Sequence, residues 1–355
     1  MLQNVRIRRA LSLDPMGIWH IETNEKVKEV DASFGFVFVS LLDGRLLWKS
    51  LLDDDGQFES MKDEHLKVIH MESHIDYCLI ALVEHAVSSK QYIYYYDESK
   101  EEMIELYDFN DFQKRISWIV FEKFRVDCLH GLVLDEENNL YSLSINGNII
   151  ERKPISIESC GIVSKIYSGA YHFVILDEKG YVYTMGNNSY CQCGITTVVN
   201  NDQLDFPKSV TIPQCIDILK DSVRIIKAGC GASHTLLLSD DGCVYAIGSN
   251  SEGQCGQSNE YKQLLNPTLV ESDSNNATIG DVIDIACGSS ASFLTSANDD
   301  SGEIMFYGCG SFQQMNSFGY LEEKRQYGFS LLSEMKSKHS MVYCSSISNN
   351  AFLLQ

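Results

Sequence analysis

Two stretches of the chain match each other without a gap. Residues 168–187 read Ser168-Gly-Ala-Tyr-His-Phe-Val-Ile-Leu-Asp-Glu-Lys-Gly-Tyr-Val-Tyr-Thr-Met-Gly-Asn187, and residues 230–249 read Cys230-Gly-Ala-Ser-His-Thr-Leu-Leu-Leu-Ser-Asp-Asp-Gly-Cys-Val-Tyr-Ala-Ile-Gly-Ser249. The shared positions include Gly169 and Gly231, His172 and His234, Gly180 and Gly242, Gly186 and Gly248, and, a few residues further on, Gly194 and Gly256. Such internal self-similarity indicates a repeat protein.

Each matched unit predicts a β-hairpin. It begins with an apolar strand, continues through a polar turn that ends in glycine, and finishes with a second strand of β-branched and aromatic residues. A third copy begins at Ile285 and places Ala291 at the histidine position. Its glycines Gly288, Gly302 and Gly308 align with those of the first two copies, so Gly308 is expected to close the second strand.

Weaker copies lie at residues 30–48, 75–96 and 125–143, and residues 343–354 supply a first strand without a second. Residues 3–9 can supply the missing strand. A ring of sheets that is closed in this way has no exposed strand edges, which favours this pairing. The sequence therefore predicts an all-β fold, a seven-bladed β-propeller with closure by N- and C-terminal strands. It forms a single domain over residues 1–355, with diverged repeats at 1–150, clear repeats at 151–310 and closing strands at 311–355.

The stretch from Ala228 to Gly256, which ends in Gly-Ser-Asn-Ser-Glu-Gly-Gln-Cys-Gly, resembles a repeat of the regulator of chromosome condensation family. Repeats of that family typically read as a glycine, a histidine, an apolar strand, Asp-Gly, a second strand and then Gly-x-Asn-x-x-Gly-Gln-x-Gly. The resemblance is strongest at 169–194 and 229–256. Cys191 departs from the pattern, because it stands where the first glycine of the Gly-Gln-x-Gly tail is expected.

The resemblance implies a propeller that binds other proteins. The founding member of the family is an exchange factor for the small GTPase Ran, and it uses one propeller face and a projecting hairpin wedge. We therefore expect a scaffold or regulatory subunit, with guanine nucleotide exchange on a Ran-like GTPase as the alternative. The chain contains no nucleophile elbow, phosphate-binding loop or His-Glu-x-x-His motif, so we expect no enzyme active site and no cofactor.

Charge and cysteine usage restrict the partners and the compartment. The chain has 28 Lys and Arg against 49 Asp and Glu, a formal charge of -21, so we do not expect it to bind nucleic acid directly. A basic or small regulatory protein suits this surface better. The 12 cysteines lie mostly singly in apolar stretches, which favours a reducing compartment, the cytoplasm or the nucleus. No apolar run is long enough to predict a membrane span.

Three groups of residues resemble metal sites only in part. His172 and His234 occupy the same repeat position on different blades, so a structural, hydrogen-bonded role is expected for both. Cys191 and Cys193 lack the two further ligands that a zinc site requires. Residues 53–56, Asp-Asp-Asp-Gly, resemble part of a calcium loop. With Gly56 at the sixth position of such a loop, Leu51 and Lys62 stand at the first and twelfth positions, where oxygen ligands are needed. No metal site is predicted.

Two segments are candidate partner-binding loops. Residues 97–112 mix carboxylates with large apolar side chains, and residues 195–206 are an insertion between the two matched repeats. Exposed aromatic rings among carboxylates suit a hot spot for a basic protein. A solvated connection between blades is the alternative for the first segment, and a disordered loop is the alternative for the second. The candidate contact residues are Glu101, Glu102, Tyr107, Asp108, Phe109, Asp111, Phe112, Asp202, Asp205 and Phe206.

Overall fold

A computed structural model of the chain describes residues 3–9, 18–23, 26–32, 36–50, 58–74, 77–109, 112, 114–123, 128–147, 149–157, 160–199, 203–217, 219–270, 279, 281–297, 304–315, 321–335, 341–344 and 351–354. The chain divides into two compact units: unit 1 is Met1–Arg8 and Pro15–Ile155, and unit 2 is Arg9–Asp14 and Ser156–Gln355. All regular elements of the described residues are β-strands, which confirms the predicted all-β class. These residues include no helix long and apolar enough to cross a membrane.

The chain begins with a hairpin of β1 (Gln3–Arg9) and β2 (Ile18–Thr23), followed by three antiparallel four-stranded blades in unit 1. Blade 1 contains β3 (Val27–Ala32), β4 (Phe36–Leu41), β5 (Leu46–Ser50) and β6 (Glu59–Ser60). Blade 2 contains β7 (Leu66–His74), β8 (Cys78–His85), β9 (Gln91–Asp97) and β10 (Glu102–Asp108). Blade 3 contains β11 (Ile116–Phe121), β12 (Leu129–Asp135), β13 (Leu140–Asn146) and β14 (Ile149–Ile155).

Unit 2 contains three further four-stranded blades. Blade 4 contains β15 (Val163–Ser168), β16 (His172–Asp177), β17 (Val182–Asn187) and β20 (Ser209–Cys215), and the small hairpin of β18 (Thr197–Val199) and β19 (Gln203–Asp205) is inserted before β20. Blade 5 contains β21 (Ile225–Cys230), β22 (His234–Ser239), β23 (Val244–Ser249) and β24 (Gln263–Leu269). Blade 6 contains β25 (Val282–Cys287), β26 (Ala291–Ala297), β27 (Ile304–Met315) and β28 (Leu321–Met335). The chain ends with a hairpin of β29 (Met341–Cys344) and β30 (Ala351–Leu354).

The architecture is a β-propeller, but the predicted number of seven blades is wrong: the described residues form six blades within the two units, three in each. Six of the seven strand pairs predicted from the sequence each lie in one of these blades, and the seventh, from residues 343–354 and 3–9, is not among them. Residues 343–354, expected to be one first strand, belong to the hairpin β29–β30. Residues 3–9, expected to complete that strand, pair with β2.

The second strands of blades 4 and 5 explain why the repeat shows continuous apolar runs. Strands β16 and β22 are buried along their whole length. A strand covered on both faces selects apolar residues throughout and does not alternate with polar ones. Apolar clusters join neighbouring blades within each unit. Examples are Leu82 with Phe121 in unit 1 and Leu236 with Cys287 in unit 2.

The first strand of every blade carries a β-bulge at the same place. The register shifts between Val27 and Glu29, Val68 and His70, Ile116 and Trp118, Val163 and Lys165, Ile225 and Lys227, and Val282 and Asp284. A bulge re-aims the residue that follows it. In unit 2 this residue of blade 5, Lys227, forms a salt bridge with its counterpart in blade 6, Asp284.

Candidate protein-binding groove

The loop that follows the third strand is held rigid from the inside in blades 4 and 5. Asn188 and Asn250 are fully buried, and each accepts a hydrogen bond from a backbone N–H five residues later, at 3.0 Å in blade 4 and 3.1 Å in blade 5. Each side-chain amide also donates to backbone carbonyl groups, among them Pro207 at 2.9 Å and Tyr261 at 2.7 Å. The asparagine of the repeat therefore satisfies loop carbonyl and N–H groups that would otherwise lack partners.

A hydrogen-bonded relay crosses from each of these blades to the next. His172 Nε2 lies 2.9 Å from Thr235 Oγ1, and that hydroxyl donates to the carbonyl of Gln192 at 2.8 Å. One blade further, His234 Nε2 lies 2.9 Å from Ser292 Oγ, which donates to the carbonyl of Gln254 at 2.6 Å. The recurring histidine thus binds the hydroxyl of the following blade.

The relay fixes the protonation state of both histidines. Each hydroxyl donates its hydrogen bond to a carbonyl group, so it accepts a hydrogen bond from the histidine. The histidine must therefore carry its proton on Nε2. Burial lowers the pKa of His172 to about 4, and burial together with the nearby His172 lowers the pKa of His234 to about 3. Both imidazoles are therefore neutral at physiological pH, in a structural, hydrogen-bonded position.

Glycine is needed beside each ring because the turn passes very close to it. Gly169, Gly231 and Gly288 donate their N–H groups to residues 172, 234 and 291 at 2.8, 2.9 and 2.8 Å. A Cβ atom on Gly231 would lie 2.1 Å from Cε1 of His234 and 2.7 Å from the carbonyl oxygen of Gly288. The Gly-x-x-His spacing of the repeat follows from this contact.

The glycine that closes the third strand of blade 6 differs from the expected one. His172 pairs with Gly186 and His234 with Gly248, at φ of 109° and 102°, and the equivalent partner of Ala291 is Gly310, at φ 92°. Gly308 instead lies inside β27, packed near Phe293. The expectation for Gly308 is corrected because the hairpin β26–β27 has seven paired positions where β16–β17 has five, which moves the closing glycine two residues further along. Gly302 lies outside the described residues.

The loops and turns at one end of blades 4, 5 and 6 enclose a groove of about 790 Å³. Blade 4 contributes two tyrosine rings, Tyr171 and Tyr190, which remain 41% and 52% exposed. Blades 5 and 6 contribute mainly small hydroxyl side chains, such as Ser233, Ser251 and Ser290. Rigid tyrosine rings combined with serine hydroxyls are the composition of protein-binding surfaces such as antibody paratopes.

The groove carries little net charge. Among its described lining residues Glu252 is the one carboxylate, and it forms a salt bridge with Arg325 of β28. The hydroxyl of Tyr327, also on β28, donates to the carbonyl of Ser251 at 2.9 Å. Strand β28 is thereby fastened to the groove loop of blade 5.

Two hairpins flank this end of unit 2. The hairpin β18–β19 leaves blade 4 between the groove loop and β20. In blade 6, β27 and β28 continue their pairing beyond Gly310, from Ser311 with Arg325 to Met315 with Leu321. At this end the connections of blades 4 and 6 therefore extend further than the connection of blade 5.

The acidic segment 97–112 is part of a blade and not a loop. Residues 102–108 form β10, paired with β9, and a register shift between Glu105 and Tyr107 interrupts the alternation. Phe109 is only 5% exposed and belongs to the core of blades 2 and 3, with Tyr107 and Phe112 packed against it. The premise that these aromatic rings are exposed is therefore wrong for Phe109. Among the acidic residues, Glu101 is exposed, Glu102 and Asp108 are half-buried, and Asp111 lies outside the described residues.

The segment 195–206 is the flanking hairpin of blade 4. Asp205 is exposed, and the Lys208 ammonium group lies 4.6 Å from the centre of the Phe206 ring. Asp202 lies outside the described residues. Partner binding through Asp205 and Phe206 stays a prediction.

Of the three groups that resemble metal sites in part, the structure describes the two histidines and the two cysteines. Cys191 and Cys193 are buried, and burial raises the pKa of their thiols to about 11 and about 12, so neither is a ready metal ligand. Residues 53–56 lie outside the described residues. Within the part of the chain that the structure describes, no group of three or more His, Cys, Asp or Glu side chains is arranged to hold a metal ion.

Sequence reasoning did not single out the groove residues. Ser189 and Tyr190, and likewise Ser251 and Glu252, fill the variable positions of the Asn-x-x-Gly-Gln motif, so a search for repeated residues passes over them. The available signal was their type, because serine and tyrosine at variable positions of a rigid loop favour a binding surface.

The comparisons with known proteins agree with this geometry. The model of the regulator of chromosome condensation (RCC1) repeat matches residues 179–238 and 241–294, and a second model of the same description matches 163–192 and 225–254. These segments contain the histidine relay and the groove loops of blades 4 and 5. Both features recur as structural repeats of the β-propeller. These matches lie within residues 163–294, and in this part the chain is similar to the RCC1 repeat family.

Two curated relatives and one solved structure show how far the likeness extends. The chain is 30% identical over 155 residues to a protein RCC2 homolog of Danio rerio, an alignment that covers 43% of this chain and 28% of the relative. It is 33% identical over 111 residues to the human RCC1-like G exchanging factor-like protein, covering 31% of this chain and 22% of the relative. The fold of Prp20p from Saccharomyces cerevisiae matches with a TM-score of 0.65 at 15% identity, over 99% of this chain and 91% of Prp20p. The sequence alignments thus span less than a third of the two curated relatives.

Proposed function

We propose that the chain is a protein-binding scaffold or regulatory subunit that holds a partner in the groove of blades 4 to 6 and carries out no reaction of its own. The observation that carries the proposal is the placement of two exposed tyrosine rings among serine hydroxyls on loops that buried asparagines hold rigid. Rigid amphipathic rings contribute contact area at low entropic cost, which is what a binding surface requires.

The chemistry of the groove supports a role without catalysis. The two histidines beneath it are buried, neutral and committed to the relay, so neither is available as a general acid or base. The carboxylate of Glu252 is paired with Arg325. The described lining residues therefore offer hydrogen bonds and aromatic contact, which suit recognition.

Affinity purification from the cells of origin tests the proposal. The double variant Tyr190→Ala with Ser233→Arg removes one ring and blocks the groove, and Tyr261→Ala removes an equally exposed ring, at 56%, that does not line it. We expect a stoichiometric partner to remain bound to the wild type and to Tyr261→Ala and to be lost from the groove variant. Equal recovery on all three proteins, with unchanged melting curves, would contradict the proposal.

Guanine nucleotide exchange is the second candidate function. The hairpin β18–β19 beside the groove favours it, and so does the name of the human relative, which designates an exchanging factor. Prp20p, the yeast protein of similar fold, has binding properties to Gsp1p and histones. Accelerated release of labelled GDP from a Ran-like GTPase by the purified chain would favour this function, and an unchanged rate with a binding partner in hand would favour the scaffold. A partner in the cytoplasm or nucleus is part of both proposals.

A further inference from the structure

We infer that the groove receives an extended, uncharged segment of the partner protein. This inference rests on the proposed function and names the chemistry of the occupant. Its three supports are the charge of the groove, the kind of hydrogen bonds that its walls offer, and the position of its tyrosine rings.

The charge of the groove differs from that of the chain. The chain has a formal charge of -21, yet Glu252 is the one charged side chain among the described lining residues, and Arg325 already neutralises it. A Lys or Arg of the partner would compete with Arg325 and lose its hydration, and an Asp or Glu would face both Glu252 and the net charge of the chain. Because burying an uncompensated charge is costly, a neutral segment is favoured.

The walls of the groove can form hydrogen bonds with a partner backbone whose N–H and C=O groups are not already bonded to each other. Serine hydroxyls, such as those of Ser189 and Ser233, both donate and accept hydrogen bonds. An extended segment presents one N–H and one C=O per residue, and each needs a partner when it is buried. A helix satisfies these groups internally and would therefore make little use of hydroxyls such as those of Ser189 and Ser233. The hydroxyl lining therefore favours an extended segment.

The tyrosine rings give the segment a preferred orientation. Tyr171 and Tyr190 both belong to blade 4, whereas the lining residues of blade 6 are Ser290 and Ser311. Side chains alternate between the two sides of an extended segment. An apolar side chain can therefore rest on the tyrosine side while small polar side chains face the serine side.

Panning a random phage-displayed peptide library on the intact protein tests the inference, with counter-selection on the Tyr190→Ala, Ser233→Arg variant. We expect enriched peptides poor in Lys, Arg, Asp and Glu, whose Kd changes by less than about twofold between low and high salt because no ion pair is formed.

Two results would overturn the inference. Groove-dependent peptides rich in Lys and Arg, or in Asp and Glu, would show that the occupant is charged, and the proposed function would stand. Failure to enrich any groove-dependent peptide would show that the groove takes no extended segment. The proposed function is judged separately, by whether the natural partner is lost from the groove variant in affinity purification.

Discussion

His70 of blade 2 stacks on Trp118 of blade 3, with ring centroids 4.5 Å apart and planes inclined by 29°. The Nδ1 atom of the same imidazole lies 3.0 Å from Oε1 of Glu29 in blade 1. All three residues follow the bulge in the first strand of their blades. One repeat position therefore links three consecutive blades of unit 1, as Lys227 and Asp284 link blades 5 and 6 of unit 2.

The pKa of His70 should depend on Glu29. Burial lowers this pKa, but the charge and hydrogen bond of Glu29 and the nearby Glu72 outweigh burial and Lys28 and raise it above 6.5. The protonated form therefore adds stability that is complete below pH 6.5 and lost as pH rises through the pKa of the folded state. We expect NMR titration to show a raised pKa in the wild type and a lower one in Glu29→Gln. An equal pKa in both proteins would contradict the account.

His234→Ala should destabilise unit 2. The substitution opens a cavity and removes the donor to Ser292, which costs about 2–4 kcal/mol of unfolding free energy. Denaturant unfolding measures this, and His65→Ala, at an exposed histidine, should stay within about 0.5 kcal/mol of the wild type. A loss for His234→Ala no larger than that of the control would show that the relay does not stabilise the blades.

Acidification should weaken unit 2 through the same histidines. Their pKa values in the folded state, about 4 for His172 and about 3 for His234, lie below the ordinary value of 6.5. The unfolded chain then binds more protons, so stability is complete above pH 6.5 and falls as pH decreases toward 4. We expect the loss over this range to be smaller in His234→Ala than in the wild type. Parallel curves for the two proteins would rule the mechanism out.

Gly231→Ala should cost more than the same change at a glycine with open surroundings. The new Cβ would overlap the His234 ring, whereas Gly147, at φ 55°, has no heavy atom within 4 Å of such a Cβ. We expect a loss of about 2–4 kcal/mol for Gly231→Ala, from displacing the ring and its hydrogen bond, against about 1 kcal/mol for Gly147→Ala. Thermal and denaturant unfolding measure the loss of stability in the two variants. Equal losses would show that the close contact between Gly231 and His234 does not determine stability.

Phe109→Ala should unfold unit 1 more readily, because its ring is buried between blades 2 and 3. We expect a loss of about 3–5 kcal/mol, as for other buried phenylalanines. A variant that keeps full stability and loses only a bound partner would restore the docking interpretation of residues 97–112.

The repeat was predictable because its determinants are local. His172, Gly169 and Asn188 are needed by contacts within one blade or with an identical neighbour, so they recur in the sequence at fixed spacing. The bulge in β10 was not predictable, since a single register shift places Tyr107 and Phe109 against the core in a segment that does not alternate. The number of blades was overestimated by one, because residues 3–9 and 343–354 have the same strand pattern as part of a blade.

The groove was beyond sequence reasoning for a different reason. Its residues come from the variable positions of three successive blades, and only the packing of those blades places Tyr190 near Ser233 and Ser290 in one concave surface. Local spacing does not encode that arrangement.

Site-specific photo-crosslinking tests the central claim, that the groove holds a protein partner, most directly. Benzoylphenylalanine is placed at Tyr190 in the groove and, as a matched control, at Tyr261, an exposed tyrosine of blade 5 that does not line it. We predict that irradiation in cells joins the copurifying partner to position 190 and not to position 261. A partner that copurifies with both proteins and crosslinks at 261 alone would contradict the account.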